Sequence, residues 1–327
     1  MEKNFWKKLK KPILALAPLA GVTDSAFRQI CKKFGAQAVY SEMASAAALC
    51  HGSGETLELL KFSKSERPYV VQLFGSDPKQ MGEAAKIVTA KIKPDGIDIN
   101  FGCPVKKVMK QGAGAALFKD LERSRAVIEA VLKNTDLPVS IKVRTQSGPV
   151  KLREFLQNIS DLKIAALMIH GRTLSQGFSG PIDADAIKDA RRYFSGIILA
   201  NGGIDKPVAA KRVLTATKAD GLGIGRGALG RPWLFREILK TERHRRMRSG
   251  KILKKPRRTL KIPAGPREIF KIALAQARLA AKLKGRAGIL EMRKQLCWYA
   301  AGLPGARQLR EKLVKVETLD DIKAILK

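Results

Sequence analysis

The sequence of 327 residues has few cysteines, few histidines and a low proportion of aromatic residues. Cys50 and His51 are adjacent, but among the four cysteines and three histidines no second such pair stands at the spacing of zinc ligands. We therefore predict no metal site. The cysteines also form no even-spaced framework, which excludes a small disulfide-stabilised domain. This usage is typical of a reducing compartment, so we expect a cytoplasmic protein.

No apolar run in the sequence approaches the roughly 20 residues that a membrane-spanning helix needs. The run at 13–20 follows a basic segment and so imitates a signal peptide. However, it has only about eight residues and includes Pro18, and it has a better interpretation as the first strand of a sheet. We expect no association with a membrane.

Acidic residues are scarce, with 29 Asp and Glu against 63 Lys and Arg, and the net charge is +34. Such an excess causes self-repulsion and is typical of a protein whose partner is a polyanion. Nucleic acid is favoured over an anionic membrane or a generally basic proteome. The apolar fraction of 45% is sufficient for a large core, and the length allows one large domain and a smaller one.

Eight short apolar runs alternate with amphipathic segments between residues 13 and 240. Nearly continuous apolar strands are typical of a parallel sheet that is covered on both faces. Eight strand–helix units predict a (β/α)8 TIM barrel of the α/β class, and a doubly wound open sheet is the alternative. The predicted strands are 13–17, 38–42, 69–74, 96–100, 139–143, 166–170, 196–200 and 220–225.

The chain changes character at about residue 241. Lys and Arg dominate 243–258, which indicates a basic linker. Beyond 266 the apolar residues follow helical spacing, and a break at 302–305 separates further short helices. We predict a barrel domain at 1–240, a linker at 241–265 and a small all-helical C-terminal domain at 266–327.

Functional side chains of a TIM barrel stand at the carboxyl ends of its strands, and polar residues of this chain collect there. Lys142 lies within a predicted strand, where an unpaired ammonium would cost several kcal/mol, so we expect it to be functional. Cys103 follows the fourth strand on a turn, whereas the other cysteines have apolar or helical surroundings. The remaining strand-end residues are Gln72, Asn100, Arg144, His170, Arg172 and Asn201.

Glycines follow the last two predicted strands, at 202–203 and within 223–230. The second group matches G-x-G-x-x-G, but no acidic residue follows at the distance that a Rossmann fingerprint requires. In a barrel, these loops commonly form a phosphate site, to which Arg226 would add a charged donor. Tight turns without a ligand are the alternative. A phosphate site together with Lys142 and Gln72 predicts flavin mononucleotide (FMN).

Several motifs stand in the order seen in tRNA-dihydrouridine synthases. The chain resembles this family over nearly its whole length, and the B type most closely. The motifs are Ala17-Pro18-Leu19-Ala20-Gly21-Val22-Thr23-Asp24, Asn100-Phe101-Gly102-Cys103-Pro104, Lys142-Val143-Arg144-Thr145, His170-Gly171-Arg172-Thr173, Asn201-Gly202-Gly203-Ile204, Gly225-Arg226-Gly227 and, in the predicted helical domain, 292–299 and 302–306.

The resemblance implies a flavin enzyme that reduces the C5–C6 double bond of particular uridines in tRNA to 5,6-dihydrouridine, with NADPH or NADH as the reductant. Cys103 would give a proton to C5 while N5 of FMN gives hydride to C6. Thiols suit this acid role because their ordinary pKa, near 8.5, keeps them protonated at neutral pH. The target base would be extruded from the folded RNA to reach the barrel.

The resemblance also implies site residues and a partner. The helical domain would bind tRNA, and we expect a monomer. The cofactor would be held by Ala17, Pro18, Leu19, Gln72, Lys142, His170, Asn201, Gly202, Gly203, Gly225 and Arg226. The RNA would be contacted by Asn100, Arg144, Arg172, Arg293 and Lys294.

Two other functions are alternatives. A flavin dehydrogenase of a free pyrimidine, of the dihydroorotate or dihydropyrimidine type, would keep the fold and the cysteine, but a small substrate does not need a charge of +34. A non-catalytic RNA-binding barrel would not need Cys103, Lys142 and Arg226.

Overall fold

A computed structural model describes residues 4–248 and 260–326, and for 244–248 it describes the backbone only. Eight of its ten strands form the closed parallel barrel β1-β10-β9-β8-β5-β4-β3-β2. Ile13 of the first strand pairs with Gly221 of the last, so the predicted TIM barrel is confirmed and the open sheet is wrong. The strands are β1 (Ile13–Leu16), β2 (Ala38–Ser45), β3 (Tyr69–Phe74), β4 (Gly96–Asn100), β5 (Val139–Arg144), β6 (Gln146–Ser147), β7 (Val150–Lys151), β8 (Ala166–His170), β9 (Ile197–Asn201) and β10 (Gly221–Ile224).

The interior of the barrel is apolar at the amino ends of the strands. Ala15, Tyr40, Met168 and Leu199 pack there on one another, because alternate residues of each strand point inward. Trp6, from a short 3-10 helix at Phe5–Lys8, is fully buried in the same cluster and closes this end. The opposite end, where the strands finish, is left for polar side chains.

Helices cover the outside of the barrel and continue beyond it. Aspartates cap two of these helices. Asp24 accepts a hydrogen bond from Phe27 N, and Asp77 precedes a helix that begins with Pro78. The helices are α1 (Ser25–Lys33), α2 (Ala46–Cys50), α3 (Gly54–Leu59), α4 (Pro78–Ile87), α5 (Lys106–Met109), α6 (Leu121–Lys133), α7 (Leu152–Asn158), α8 (Ala184–Asp189), α9 (Pro207–Thr217), α10 (Leu234–Arg248), α11 (Pro266–Tyr299), α12 (Ala306–Leu313) and α13 (Leu319–Ile325).

Helix α10 extends beyond residue 240, the predicted end of the barrel domain. It continues to Arg248, so the segment 241–248 is helical where the sequence predicted the start of a linker. Its buried positions include Phe235, Ile238 and Glu242, a helical spacing that the dense basic residues obscured. The rest of the basic segment, from 249 to 259, lies outside the described residues. The division into three parts otherwise stays a prediction.

Helix α11 is two antiparallel helices rather than one rod. Gly285 adopts φ 57° and ψ −136°, which is not helical and favours glycine. Gln276 donates to Gln295, nineteen positions away, and the Tyr299 hydroxyl donates to Gln276 at 2.7 Å. At 1.5 Å per residue a straight helix would separate Gln276 from Gln295 by about 28 Å. We call residues 266–299 the helical hairpin.

The helical hairpin packs directly on the barrel. Lys284, beside its turn, lies 3.8 Å from Asp24 at the start of α1. After β10, a Cβ added to Gly230 would stand 2.2 Å from the Trp298 carbonyl oxygen, so the two backbones touch. The barrel and the hairpin therefore share one packed interface.

Candidate active site

A cavity of about 770 Å³ opens at the carboxyl ends of the barrel strands. Its volume is within the range of small-molecule and cofactor sites. All eleven predicted cofactor residues line it, together with four of the other predicted site residues, Asn100, Cys103, Arg144 and Arg172. Arg293 and Lys294 are not among its lining residues.

The turn after β4 places Cys103 in the wall of this cavity. The Asn100 side-chain oxygen accepts hydrogen bonds from the backbone N–H of Gly102, at 3.0 Å, and of Cys103, at 2.9 Å. Asn side chains commonly fix turns in this way. Cys103 is half-buried, and a Cβ on Gly114 would come within 2.9 Å of its carbonyl oxygen. Because Gly114 has no side chain, the loop that contains it can pack closely against the cysteine turn.

Lys142 projects from β5 into the same cavity and is half-buried. Burial, followed by the charge of Arg144, lowers the pKa of its ammonium to about 8, against the opposing effects of Asp98 and Cys103. Among residues 4–248 and 260–326, no hydrogen bond or ion pair satisfies its Nζ atom. The site thus holds a cation without a partner from the described chain, which suits an anionic or electron-rich ligand.

Gln72 and Asp98 form a buried polar pair beneath Asn100. Gln72 Nε2 donates to Asp98 Oδ2 at 2.7 Å, and Gln72 Oε1 accepts from Asn100 Nδ2 at 2.9 Å. Asp98 Oδ1 accepts from the Ser140 hydroxyl at 2.6 Å. The amide of Gln72 retains one N–H and one lone pair for a ligand. Sequence reasoning missed Asp98, although a carboxylate inside an apolar strand was the available signal.

His170 is a neutral imidazole in this site. Burial, followed by the charges of Lys142, Arg144 and other cations, holds its pKa well below the usual range. Its Nε2 lies 3.3 Å from Arg172 Nη1, and because Arg can only donate, Nε2 accepts. The proton of the ring is therefore on Nδ1.

Arg144 is buried and donates hydrogen bonds to backbone carbonyl oxygens. It is 2% exposed, and its Nε donates to Gly102 O at 2.8 Å. Its Nη1 donates to Thr173 O at 3.0 Å and to Gly177 O at 2.9 Å. This side chain thus joins the cysteine turn to the loop at 173–180, and its predicted contact with RNA stays a prediction.

Arg172 and Arg226 hold the same loop beside the cavity mouth. Arg172 Nε donates to Gly180 O at 2.9 Å, and Arg226 Nη2 donates to Phe178 O at 3.2 Å. The Arg226 guanidinium also lies 4.4 Å from the centre of the Phe178 ring. Phe178 is 52% exposed and lines the cavity, yet sequence analysis did not single it out.

One end of the cavity is suited to a phosphate. The loops after β9 and β10 touch, since a Cβ on Gly227 would stand 1.9 Å from Ile204 O. Gly202 and Gly203 have φ of 112° and 66°, which side chains disfavour. Three cationic side chains line this part of the wall. Arg226 was predicted from the sequence, whereas Lys206 and Arg212 were not.

The predicted RNA residues of the helical hairpin lie elsewhere. Arg293 donates to Val316 O at 2.8 Å and lies 3.6 Å from Glu317, and the Lys294 ammonium is 5.2 Å from the Trp298 ring centre.

In the described part of the chain, no group of three or more His, Cys, Asp or Glu could hold a metal ion. Within the same residues, none of the helices has the length and apolarity to span a membrane.

Comparisons with known proteins give a matching family and several relatives. The sequence model of dihydrouridine synthase (Dus) matches residues 15–327. The tRNA-dihydrouridine synthase B of Pseudomonas aeruginosa is 36% identical over 318 residues, which cover 94% of this chain and 89% of the relative. That of Pseudomonas syringae is 37% identical over 312 residues, with 93% and 87% covered. A probable tRNA-dihydrouridine synthase of Aquifex aeolicus is 30% identical, with 96% and 94% covered.

Solved structures share the fold at low identity. The crystal structure of TcOYE with pHBA aligns with a TM-score of 0.51 at 13% identity, covering 75% of this chain and 91% of that one. A complex of 2-naphthoyl-CoA reductase aligns with a TM-score of 0.54 at 13% identity, covering 74% and 53%. These two likenesses support the barrel fold.

Proposed function

The chain belongs to the dihydrouridine synthase family, and from this premise we propose that it reduces the C5–C6 double bond of particular uridines in tRNA to 5,6-dihydrouridine. The proposal includes bound FMN and NADPH or NADH as the reductant. The observation that carries it is the single cavity in which all the predicted cofactor residues meet Cys103. The predicted monomeric state and cytoplasmic location stay predictions.

The lining of the cavity fits FMN from end to end. Arg226 and the glycines at 202–203 offer cationic and backbone donors for a phosphate. Lys142 has no partner among the described residues, and Gln72 retains one N–H and one lone pair, so both suit the polar edge of a flavin ring. Ala17, Pro18 and Leu19 offer an apolar wall. When bound, the cofactor supplies the hydride that C6 of the uridine receives.

Cys103 supplies the second hydrogen in this proposal. Its thiol proton passes to C5, so that one hydride and one proton together saturate the C5–C6 bond, and the thiolate regains a proton from solvent. The thiolate formed in this step interacts favourably with the nearby charge of Lys142. Asn100 holds the turn that presents the thiol.

The basic surface accounts for RNA binding. Lys106 and Lys107 are exposed directly after the cysteine turn, where they can contact phosphates beside an extruded base. We assign the helical hairpin and the helices that follow it to tRNA binding as well. Affinity that rests on phosphate contacts falls steeply as salt is added.

Purified protein tests the proposal against both alternatives. Unmodified tRNA is incubated with the protein and NADPH or NADH, and nucleosides with two added hydrogen atoms are detected by mass spectrometry. Dihydrouridine in the tRNA, with no turnover of free uracil or orotate, is the expected result. Turnover of a free pyrimidine alone would favour the dehydrogenase, and a protein that binds RNA without any flavin absorbance would favour the non-catalytic barrel.

A further inference from the structure

Asp98 is a buried charged residue that the proposed chemistry does not use. It is fully buried in β4, and it is not among the residues that line the cavity. Both carboxyl oxygens accept hydrogen bonds, Oδ1 from Ser140 and Oδ2 from Gln72. Burying a carboxyl group is costly, so a site that keeps one with complete hydrogen bonding calls for a reason.

The hydrogen bonds above Asp98 run in one direction. A carboxylate can only accept, so Gln72 must turn its NH2 group towards Asp98 and its oxygen away from it. That oxygen accepts from the NH2 group of Asn100, and this in turn leaves the Asn100 oxygen facing the cysteine turn. There it accepts from the backbone N–H of Gly102 and Cys103.

We propose that Asp98 is a positioning residue, which fixes the orientation of the Gln72 and Asn100 amides and through them holds the Cys103 turn. Without the carboxylate, the Gln72 amide can rotate by half a turn and present NH2 to Asn100. The Asn100 amide can then rotate as well and present NH2 to the backbone N–H groups of the turn, which cannot accept. The inference rests on the proposed function of Cys103.

The surroundings of Asp98 are consistent with a carboxylate. Burial raises its pKa to about 6, while the hydrogen bonds from Gln72 and Ser140 and the charge of Lys142 act against that rise. The carboxylate is therefore the favoured form at neutral pH, which leaves Gln72 as the donor in their hydrogen bond.

Single substitutions test the direction of the network. Asp98→Leu should lower kcat for tRNA reduction by about 10- to 100-fold, the cost of a slightly misplaced reacting group. The KM for tRNA should change far less, because the RNA surface is untouched. Asp98→Asn can still accept from Gln72 and should lose much less kcat. Ser140→Ala is the comparison variant, because it removes a partner of Asp98 that lies outside the amide chain and leaves an Asp98 oxygen that accepts from Gln72. Its kcat should fall no further than that of Asp98→Asn.

A reversal of polarity gives the sharper test. Asn100→Asp keeps an acceptor for the cysteine turn, but it places Gln72 between two carboxylates that both require its NH2 group. Because the Gln72 oxygen then faces and repels the new carboxylate, the turn should be held less firmly. Adding Asp98→Asn lets Gln72 rotate, donate to the new carboxylate and accept from the new amide. The double variant should therefore be about tenfold more active than Asn100→Asp alone, because residues in one network do not act additively.

The outcomes separate this inference from the proposed function. A wild-type protein that forms no dihydrouridine would overturn the function. The orientation of the turn is then measured on the same variants by the rate at which iodoacetamide alkylates Cys103, which should rise in Asn100→Asp and return in the double variant. Equal kcat in Asp98→Leu and the wild type, or a double variant no better than Asn100→Asp, would overturn the role of Asp98. If Asp98→Leu does not fold, the double variant still decides.

Discussion

Replacing Lys142 by Met should stabilise the protein without its cofactor while weakening FMN binding. The lowering of the Lys142 pKa from 10.5 to about 8 means that the folded state disfavours its charge. One pKa unit corresponds to about 1.4 kcal/mol, so this lowering corresponds to at most about 3 kcal/mol at neutral pH. Because the side chain retains some contact with solvent, we expect a gain of about 1–2 kcal/mol in the free energy of unfolding.

The pH dependence gives the sign of the same effect. Between about pH 8 and pH 10.5 the unfolded chain binds more protons at this residue than the folded protein does. The contribution of Lys142 to stability therefore rises with pH in that window, from unfavourable at neutral pH towards zero. The difference in unfolding free energy between Lys142→Met and the wild type should accordingly shrink over the same window.

Urea unfolding of cofactor-free protein at several pH values measures this difference, and titration with FMN measures the affinity. Lys32→Met is a matched control, since burial also lowers the pKa of Lys32 to about 8, but its Nζ donates to Gln37 O, outside the cavity. It should leave FMN affinity unchanged. A cofactor-free Lys142→Met that is less stable than the wild type at neutral pH would refute the reasoning.

Three further predictions concern packing and charge. Gly227→Ala places a Cβ 1.9 Å from Ile204 O, so thermal denaturation should show a lower Tm, and FMN titration a weaker affinity, whereas Gly54→Ala has no atom within 4 Å and should leave both unchanged. Arg28→Met leaves Glu66 buried without the partner that lies 2.5 Å away, and urea unfolding should show a loss of about 3–5 kcal/mol. The logarithm of the Kd for tRNA should rise linearly with the logarithm of salt concentration. The double substitution Lys106→Ala and Lys107→Ala should reduce the slope of that line by about 1–2, and an unchanged slope would place the phosphate contacts elsewhere.

The barrel was predictable because each strand is an apolar run and each run is closed by a turn. The closed topology then brings strand ends that are far apart in sequence to one face, so residues such as Gln72, Lys142 and Asn201 could be assigned to one site. The glycines at 202–203 and 225–227 could be assigned to the same cavity for a similar reason, since their loops follow the last two strands.

The sequence did not show which groups each polar side chain would bind, or where the chain would reverse its direction. Arg144 stands at a strand end as an RNA-binding residue would, but its partners are carbonyl oxygens in a distant loop. The apolar spacing of 266–299 fits a continuous helix as well as a hairpin, and only the backbone at Gly285 decides. The hydrogen bonds of Asp98 could not be predicted without the strand register, which places it beside Gln72 and Ser140 on neighbouring strands.

Dihydrouridine formation in a single turnover by Cys103→Ala tests the central claim most directly. The variant and the wild type are each reduced beforehand and mixed with unmodified tRNA. A general acid contributes at least about 100-fold to a rate, so the variant should bind FMN and tRNA normally yet form dihydrouridine at least that much more slowly. Dihydrouridine formation at the wild-type rate would contradict the proposal that Cys103 donates the proton to C5.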